Sequence, residues 1–247
     1  MSIKDGLSSS STSISSFLMI GQSNMAGRGH FSEVEPINNK LCHMLRMGRW
    51  QRMSEPINPD REIFNPSWHS GISLAASFAD DFAKHTGTPV GLIPCADGGT
   101  SMDQWARGSL LYDHALAMTK LAMRTSTLRG ILWHQGESDS ASAERRDSYK
   151  EKFISMITAL RRDLGDENIP VIIGELGTNI GERHKLGDGP AKLNAILHEI
   201  ADTLPSCAIA SSEGFTLNSD EIHFDARSLR TFGHRYFDAY LSIVEKN

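Results

Sequence analysis

The 247-residue chain is 39% hydrophobic and 22% charged with a formal charge of −5 at pH 7. That length buries one large continuous core, and the mixture of charges excludes nucleic acid and an anionic membrane surface as partners. No window approaches the roughly eighteen apolar residues of a membrane span, and the amino terminus lacks the apolar region of a secretion signal, so a cytoplasmic location is expected.

The serine tract Ser8 to Ser16 predicts a disordered lead-in over residues 1–15, followed by one domain over residues 16–247 with no linker and no internal repeat. The first predicted strand, Ser16 to Gly21, runs straight into GQSNMAGRG, so Ser23 sits where the strand ends and the chain must turn. A hydroxyl held there on rigid backbone, with Gly27 and Gly29 allowing close approach, is the first candidate nucleophile; an ordinary polar turn is the alternative. From Arg28 to Ser70 the chain is rich in proline, asparagine and charge around one short strand, Lys40 to Leu45, which predicts a lid or a wall of a site. Trp50 and Trp68 in this stretch are read as anchors of the loop, with stacking on a sugar as the other role.

A helix over Gly71 to Lys84 is stopped by Gly87 and Pro89 before a strand at Val90 to Ala96. The paired glycines Gly98 and Gly99 that follow expose backbone N–H groups suited to an anion, or simply make a tight turn. A helix over Leu110 to Arg124 leads to a strand at Gly130 to His134 and then to Gln135-Gly136-Glu137-Ser138-Asp139. Gln135 is placed to aim its amide at a developing oxyanion. Ser138 and Asp139 read as turn or capping residues, and His134 as a packed structural histidine.

Tyr149, Phe153, Met156, Ile157, Leu160 and Leu164 form one apolar helical stripe, as do Leu193, Ile196, Leu197, Ile200 and Leu204, and again Leu229 to Val244. Strands are read at Val171 to Glu175 and, with a weaker signal, at Cys207 to Ser211. The three cysteines, Cys42, Cys95 and Cys207, are odd in number and widely spaced, which favours buried reduced thiols over a disulfide framework or a zinc site. Just before the last helix, Asp220 stands three residues ahead of His223, a spacing that lets a carboxylate accept the Nδ1 hydrogen and leave Nε2 free to take a proton. Two solvent-facing loop residues are the alternative. Short strands alternating with helices predict a parallel sheet covered on both faces.

Four segments in order, GQSNMAGRG at Gly21, GGTSMDQW at Gly98, WHQGESD at Trp133 and DEIH at Asp220, resemble the SGNH hydrolase superfamily and, within it, the carbohydrate esterase family 6 and sialate O-acetylesterase group. The resemblance implies a flavodoxin-like three-layer α/β/α sandwich whose five-stranded parallel sheet has the order 2-1-3-4-5. It also implies a serine esterase that removes acetyl groups from mono- or oligosaccharides without a metal or organic cofactor. Ser23 would be the nucleophile, His223 the base and Asp220 the orienting acid, with Glu221 as the alternative acid. The oxyanion would meet the N–H groups of Ser23 and Gly98 and the amide of Gln135. Asn24, Arg28, Gly99, Trp105 and Glu137 are expected to contact substrate. An SGNH lipase or thioesterase and a non-catalytic carbohydrate-binding protein are the rival readings, and a phosphate-handling site is disfavoured because the glycines at Gly27 and Gly29 lack a Walker lysine.

Overall fold

A computed structural model of the chain describes residues 13–59 and 69–245. In chain order these form β1 (Ile14–Gly21), α1 (Ser23–Ala26), β2 (Cys42–Arg46), β3 (Arg49–Arg52), α2 (Leu74–Thr86), β4 (Val90–Pro94), α3 (Leu110–Ala122) and β5 (Ser126–His134). They continue with α4 (Glu137–Ser140), α5 (Ala143–Leu164), β6 (Val171–Gly174), α6 (Gly189–Thr203), β7 (Cys207–Ala210) and α7 (Ala226–Val244).

The strands make one seven-stranded sheet in the order β3-β2-β4-β1-β5-β6-β7, parallel throughout except for the β2–β3 hairpin. Strand β1 lies in the middle and is buried from Ser15 to Gly21, as a parallel strand covered on both faces must be. Its alternation divides the core. Phe17 and Met19 join Leu92, Leu132 and Ile172 beneath α2 and α7. Leu18 and Ile20 join Ile93, Ile131, Trp133 and Ile173 beneath α3, α5 and α6. On the first face the ring of Phe17 meets Phe78, Phe82 and Tyr240 edge to face at centroid distances of 4.7, 5.0 and 5.2 Å, a geometry that adds to the burial of each ring.

Five strands, β1, β4, β5, β6 and β7, counted in chain order, reproduce the expected arrangement 2-1-3-4-5. Their membership differs from the expectation. The strand read at Lys40 to Leu45 is β2, which extends the sheet beyond β4, and the weaker signal at Cys207 is a full member of the five. Strand β3 was not expected: Arg49, Gln51 and Arg52 are exposed, so no alternation marks it, and pairing to β2 alone makes it a strand. Ile14 and Ser15 belong to β1 rather than to the predicted lead-in, because Ser15 pairs with Val90 on one side and Thr127 on the other.

Trp50 anchors the hairpin. Its indole N–H donates to Thr125 Oγ1 at 3.1 Å, and its six-membered ring covers Gly91, leaving no room for a Cβ there. Trp68 lies outside the described residues. No helix among the described residues is long and apolar enough to cross a membrane.

Candidate active site

Open parallel sheets bind ligands at the carboxyl ends of their strands, where the direction of chain connection reverses. Here the reversal falls at β1, between β4 and β5. Gly21 ends β1 with φ of 127°, and a Cβ on it would lie 2.1 Å from the carbonyl oxygen of His134, so both conformation and space demand glycine. Gln22 N–H donates to that same carbonyl at 2.8 Å, and Ser23 follows as the first residue of α1, with its N–H at the open end of the helix.

The loop after β4 comes back over this turn. Asp97 N–H donates to Gly21 O at 2.9 Å, and Asn58 clasps Ala96 through its own carbonyl and amide, each at 3.1 Å. A Cβ on Gly98 would meet Ser23 Cβ at 3.7 Å and Arg28 Nη2 at 2.9 Å. The Gly98 backbone therefore borders the Ser23 hydroxymethyl, with the Arg28 guanidinium beside it, and Arg28 is half-buried at the rim.

From the far end of the chain, the loop before α7 supplies the imidazole. Ser23 Oγ is 2.8 Å from His223 Nε2, and His223 Nδ1 is 2.7 Å from Asp220 Oδ2. With the carboxylate accepting from Nδ1–H, Nε2 is the acceptor for the serine hydroxyl. The other oxygen of Asp220 accepts the N–H groups of Ile222 and His223 at 3.1 and 3.0 Å. Burial raises the Asp220 carboxyl, but the N–H and ring of His223 and the N–H of Ile222 together outweigh it and hold the group below the ordinary aspartate value. Glu221, with φ of 58°, turns its side chain outward to Arg183 Nε at 3.0 Å, while Asp220 faces the imidazole.

Four residues expected to face substrate or oxyanion do something else. Gln135 is fully buried, and its amide nitrogen lies 2.6 Å from Asp139 Oδ2, 2.8 Å from Thr100 O and 3.2 Å from Gln22 Oε1. Two hydrogens facing three acceptors leave none aimed into the pocket, and the side chain ties the Gly98 loop to the floor. Asn24 and Glu137 are buried against each other, with the Asn24 amide donating to Glu137 Oε1 at 2.7 Å. Trp105 is 1% exposed, donates to Thr100 Oγ1 at 3.1 Å and meets Trp133 edge to face. Gly99 is exposed in a left-handed turn at φ of 73° beside the site.

His134 is the packed histidine expected. It is fully buried between Phe224 and Phe232, bonded through Nε2 to Glu175 O at 3.2 Å, and burial lowers its pKa. Asp139 is more than a cap. It accepts from Met102 N–H at 3.0 Å as well as from Gln135, and burial pushes its carboxyl up despite both bonds. Burial likewise pushes the thiols of Cys42, Cys95 and Cys207 up to about 12, as for inert structural cysteines. Cys207 is only half-buried, whereas Cys42 and Cys95 are buried as expected.

Sequence reasoning missed Asn58, Tyr149 and Asn218. Tyr149 reads only as part of an apolar stripe, yet its hydroxyl lies 3.0 Å from both oxygens of Gln135 and accepts from Trp133 Nε1 at 3.2 Å. Asn218 reads as a loop residue, and its amide donates to Arg28 O at 2.9 Å, fastening the imidazole loop to the segment after α1.

A probable carbohydrate esterase of Arabidopsis thaliana is 28% identical over 92% of this chain and 90% of its own. The crystal structure of that Arabidopsis thaliana protein superposes with a TM-score of 0.81 at 26% identity, covering 93% of this chain and 98% of the other. The crystal structure of NanS shares the fold, with a TM-score of 0.75 at 15% identity over 96% of this chain and 99% of the other. The family model described as carbohydrate esterase, sialic acid-specific acetylesterase matches residues 13–242. This chain belongs to that carbohydrate esterase family.

Proposed function

We propose that the protein hydrolyses O-acetyl esters on mono- or oligosaccharides through an acetyl-enzyme formed on Ser23. The observation that carries this is the hydrogen-bonded chain from Ser23 Oγ through His223 to Asp220, at 2.8 and 2.7 Å. In the forward half-reaction His223 Nε2 takes the hydroxyl proton as Oγ attacks the acetyl carbonyl, and the imidazolium is balanced by the Asp220 carboxylate. The tetrahedral intermediate collapses, the sugar oxygen leaves with the proton from Nε2, and the acetyl group stays on Oγ. Water then attacks the acetyl-enzyme with the same imidazole as base, releasing acetate and restoring the serine.

The N–H of Ser23 at the start of α1 and the N–H of Gly98 receive the oxyanion, where fixed donors stabilise developing charge without reorganising. Gln135 serves this geometry by holding Thr100 and the glycine loop. Arg28, at the rim beside Gly98, would be the side chain that meets the sugar, and its nearness to the glycine loop supports this. Serine acyl transfer of this kind needs no metal or cofactor.

Acetate release from a panel of acetylated saccharides, among them acetylated sialic acid and acetylated xylooligosaccharide, tests the reading. Turnover of an acetyl sugar by the wild-type chain and none by Ser23→Ala is the expected result. Preference for long-chain esters over acetyl esters would move the chain to the lipase reading. Failure of a serine-directed fluorophosphonate to label Ser23 would move it to a binding protein.

A further inference from the structure

Glu137 and Asn24 form a buried pair beside, and outside, the proposed hydrogen-bonded chain from Ser23 to Asp220. Glu137 opens α4, is 3% exposed and has a second oxygen, Oε2, with no hydrogen-bond partner among the described residues. His134 Nδ1 is 3.8 Å from Oε1, beyond hydrogen-bond range, and is likewise without a hydrogen-bond partner among the described residues. A buried carboxyl with one oxygen unsatisfied is costly. What it does in return is visible on its other oxygen.

Glu137 Oε1 accepts the Asn24 amide N–H at 2.7 Å, and Asn24 Oδ1 accepts the Phe224 N–H at 3.0 Å. A primary amide fits its cavity in two orientations of nearly equal shape, related by a half-turn. The Glu137 acceptor on one side and the Phe224 N–H donor on the other together select the orientation with the nitrogen toward Glu137 and the oxygen toward Phe224. Phe224 directly follows His223, and its ring is fully buried against His134, Phe215 and Phe232. The backbone that carries the imidazole is thus pinned to the residue next to the serine.

We propose that Glu137, acting through the Asn24 amide, is a positioning residue that sets the His223 imidazole at bonding distance from Ser23 Oγ. The inference rests on the esterase reading above. Misplacement of a reacting group by about 1 Å costs about 10²-fold in rate, whereas binding of the sugar is untouched. The effect therefore belongs in kcat and in the rate of Ser23 modification, with KM unchanged.

The test compares wild type, Glu137→Gln, Glu137→Leu and Asn24→Asp. The readouts are kcat and KM for a small acetyl ester, the fluorophosphonate labelling rate of Ser23, and thermal melting. Glu137→Gln keeps an acceptor oxygen facing Asn24 and is expected to stay within about threefold of wild type. Glu137→Leu and Asn24→Asp are expected to lose about 10²-fold in kcat and to label Ser23 correspondingly slowly, with KM within about threefold. Asn24→Asp replaces the donor with a second carboxyl facing Glu137, and it keeps the inference testable if Glu137→Leu does not fold.

A folded Glu137→Leu or Asn24→Asp with kcat near wild type, a loss seen in KM alone, or a Glu137→Gln as impaired as Glu137→Leu would each overturn the inference. Absence of acetate release and of Ser23 labelling in the wild-type chain would overturn the esterase reading, and acetate release surviving in Ser23→Ala would overturn the acetyl-enzyme on Ser23, so these failures are distinct from that of the inference.

Discussion

Two loops at the carboxyl ends of the sheet make opposite use of burial. The segment Gln135 to Asp139, after β5, keeps Gln135, Glu137 and Asp139 at 3% exposure or less, and its polar groups bond inward to the turns that carry Ser23 and Gly98. The Asp220 to His223 loop is half open, with the Asp220 side chain 44% exposed and the His223 side chain 12% exposed. A group that must reach substrate and exchange protons needs an open side, while a group that fixes geometry works best without water competing for its bonds. The motif richest in polar side chains is therefore the frame, and the sparser one carries the proposed base.

The largest break in this contrast is expected at the nucleophile. Ser23→Ala should lower acetate release by about 10⁴-fold or more and leave the melting temperature close to wild type, because it removes a single hydroxyl whose bond is to the half-buried His223. Next comes Asp220→Asn, which keeps the shape but offers Nδ1 the wrong partner. A loss of about 10³–10⁴-fold in kcat is expected, read against the same ester, with KM nearly constant. On the buried side, Gln135→Ala should lower kcat by about 10²-fold and also destabilise the fold by about 1–3 kcal/mol. It leaves the Asp139 carboxyl with the Met102 N–H but without its side-chain donor, and takes the Gln135 donor from the Thr100 carbonyl. A drop in activity and melting together marks a frame residue; activity alone would return Gln135 to direct contact with the oxyanion.

A fourth, smaller effect follows from pH. The Asp220 carboxyl is held below the ordinary aspartate value in the fold, so its stabilising contribution is fully present above the unfolded value of about 3.9 and disappears as pH falls through the lower folded value. Melting curves of Asp220→Asn should converge on those of wild type toward the acid end of that window. The smallest effect is expected at Glu221→Gln, which should alter kcat by less than about twofold, since the side chain pairs outward with Arg183. A larger loss there would reopen the choice between the two acids.

Much of this was legible from residue order. The apolar run ending at Gly21 placed Ser23 at a strand end, and the spacing of Asp220 and His223 predicted the bond now seen at 2.7 Å. The direction of buried side chains was not legible. Gln135 and Glu137 read as pocket residues because they follow a strand end, yet period and spacing do not reveal that Tyr149, Thr100 and Asn24 arrive on the inner side to bond them. Nor did the sequence separate β2 from the five-strand core, because an apolar run pairs as readily at the flank of a sheet as at its centre. The hairpin strand β3 left no trace, since Trp50 is its one apolar residue, too few to show an alternation, and only the register with β2 defines it.

That hairpin closes one side of the sheet with a strand whose outward course carries Arg49 and Arg52. A second copy trying to add its own strand there would have to desolvate cations against like cations. The short antiparallel turn thus disfavours edge-to-edge pairing on that flank, away from the middle of the sheet where β1 delivers Ser23.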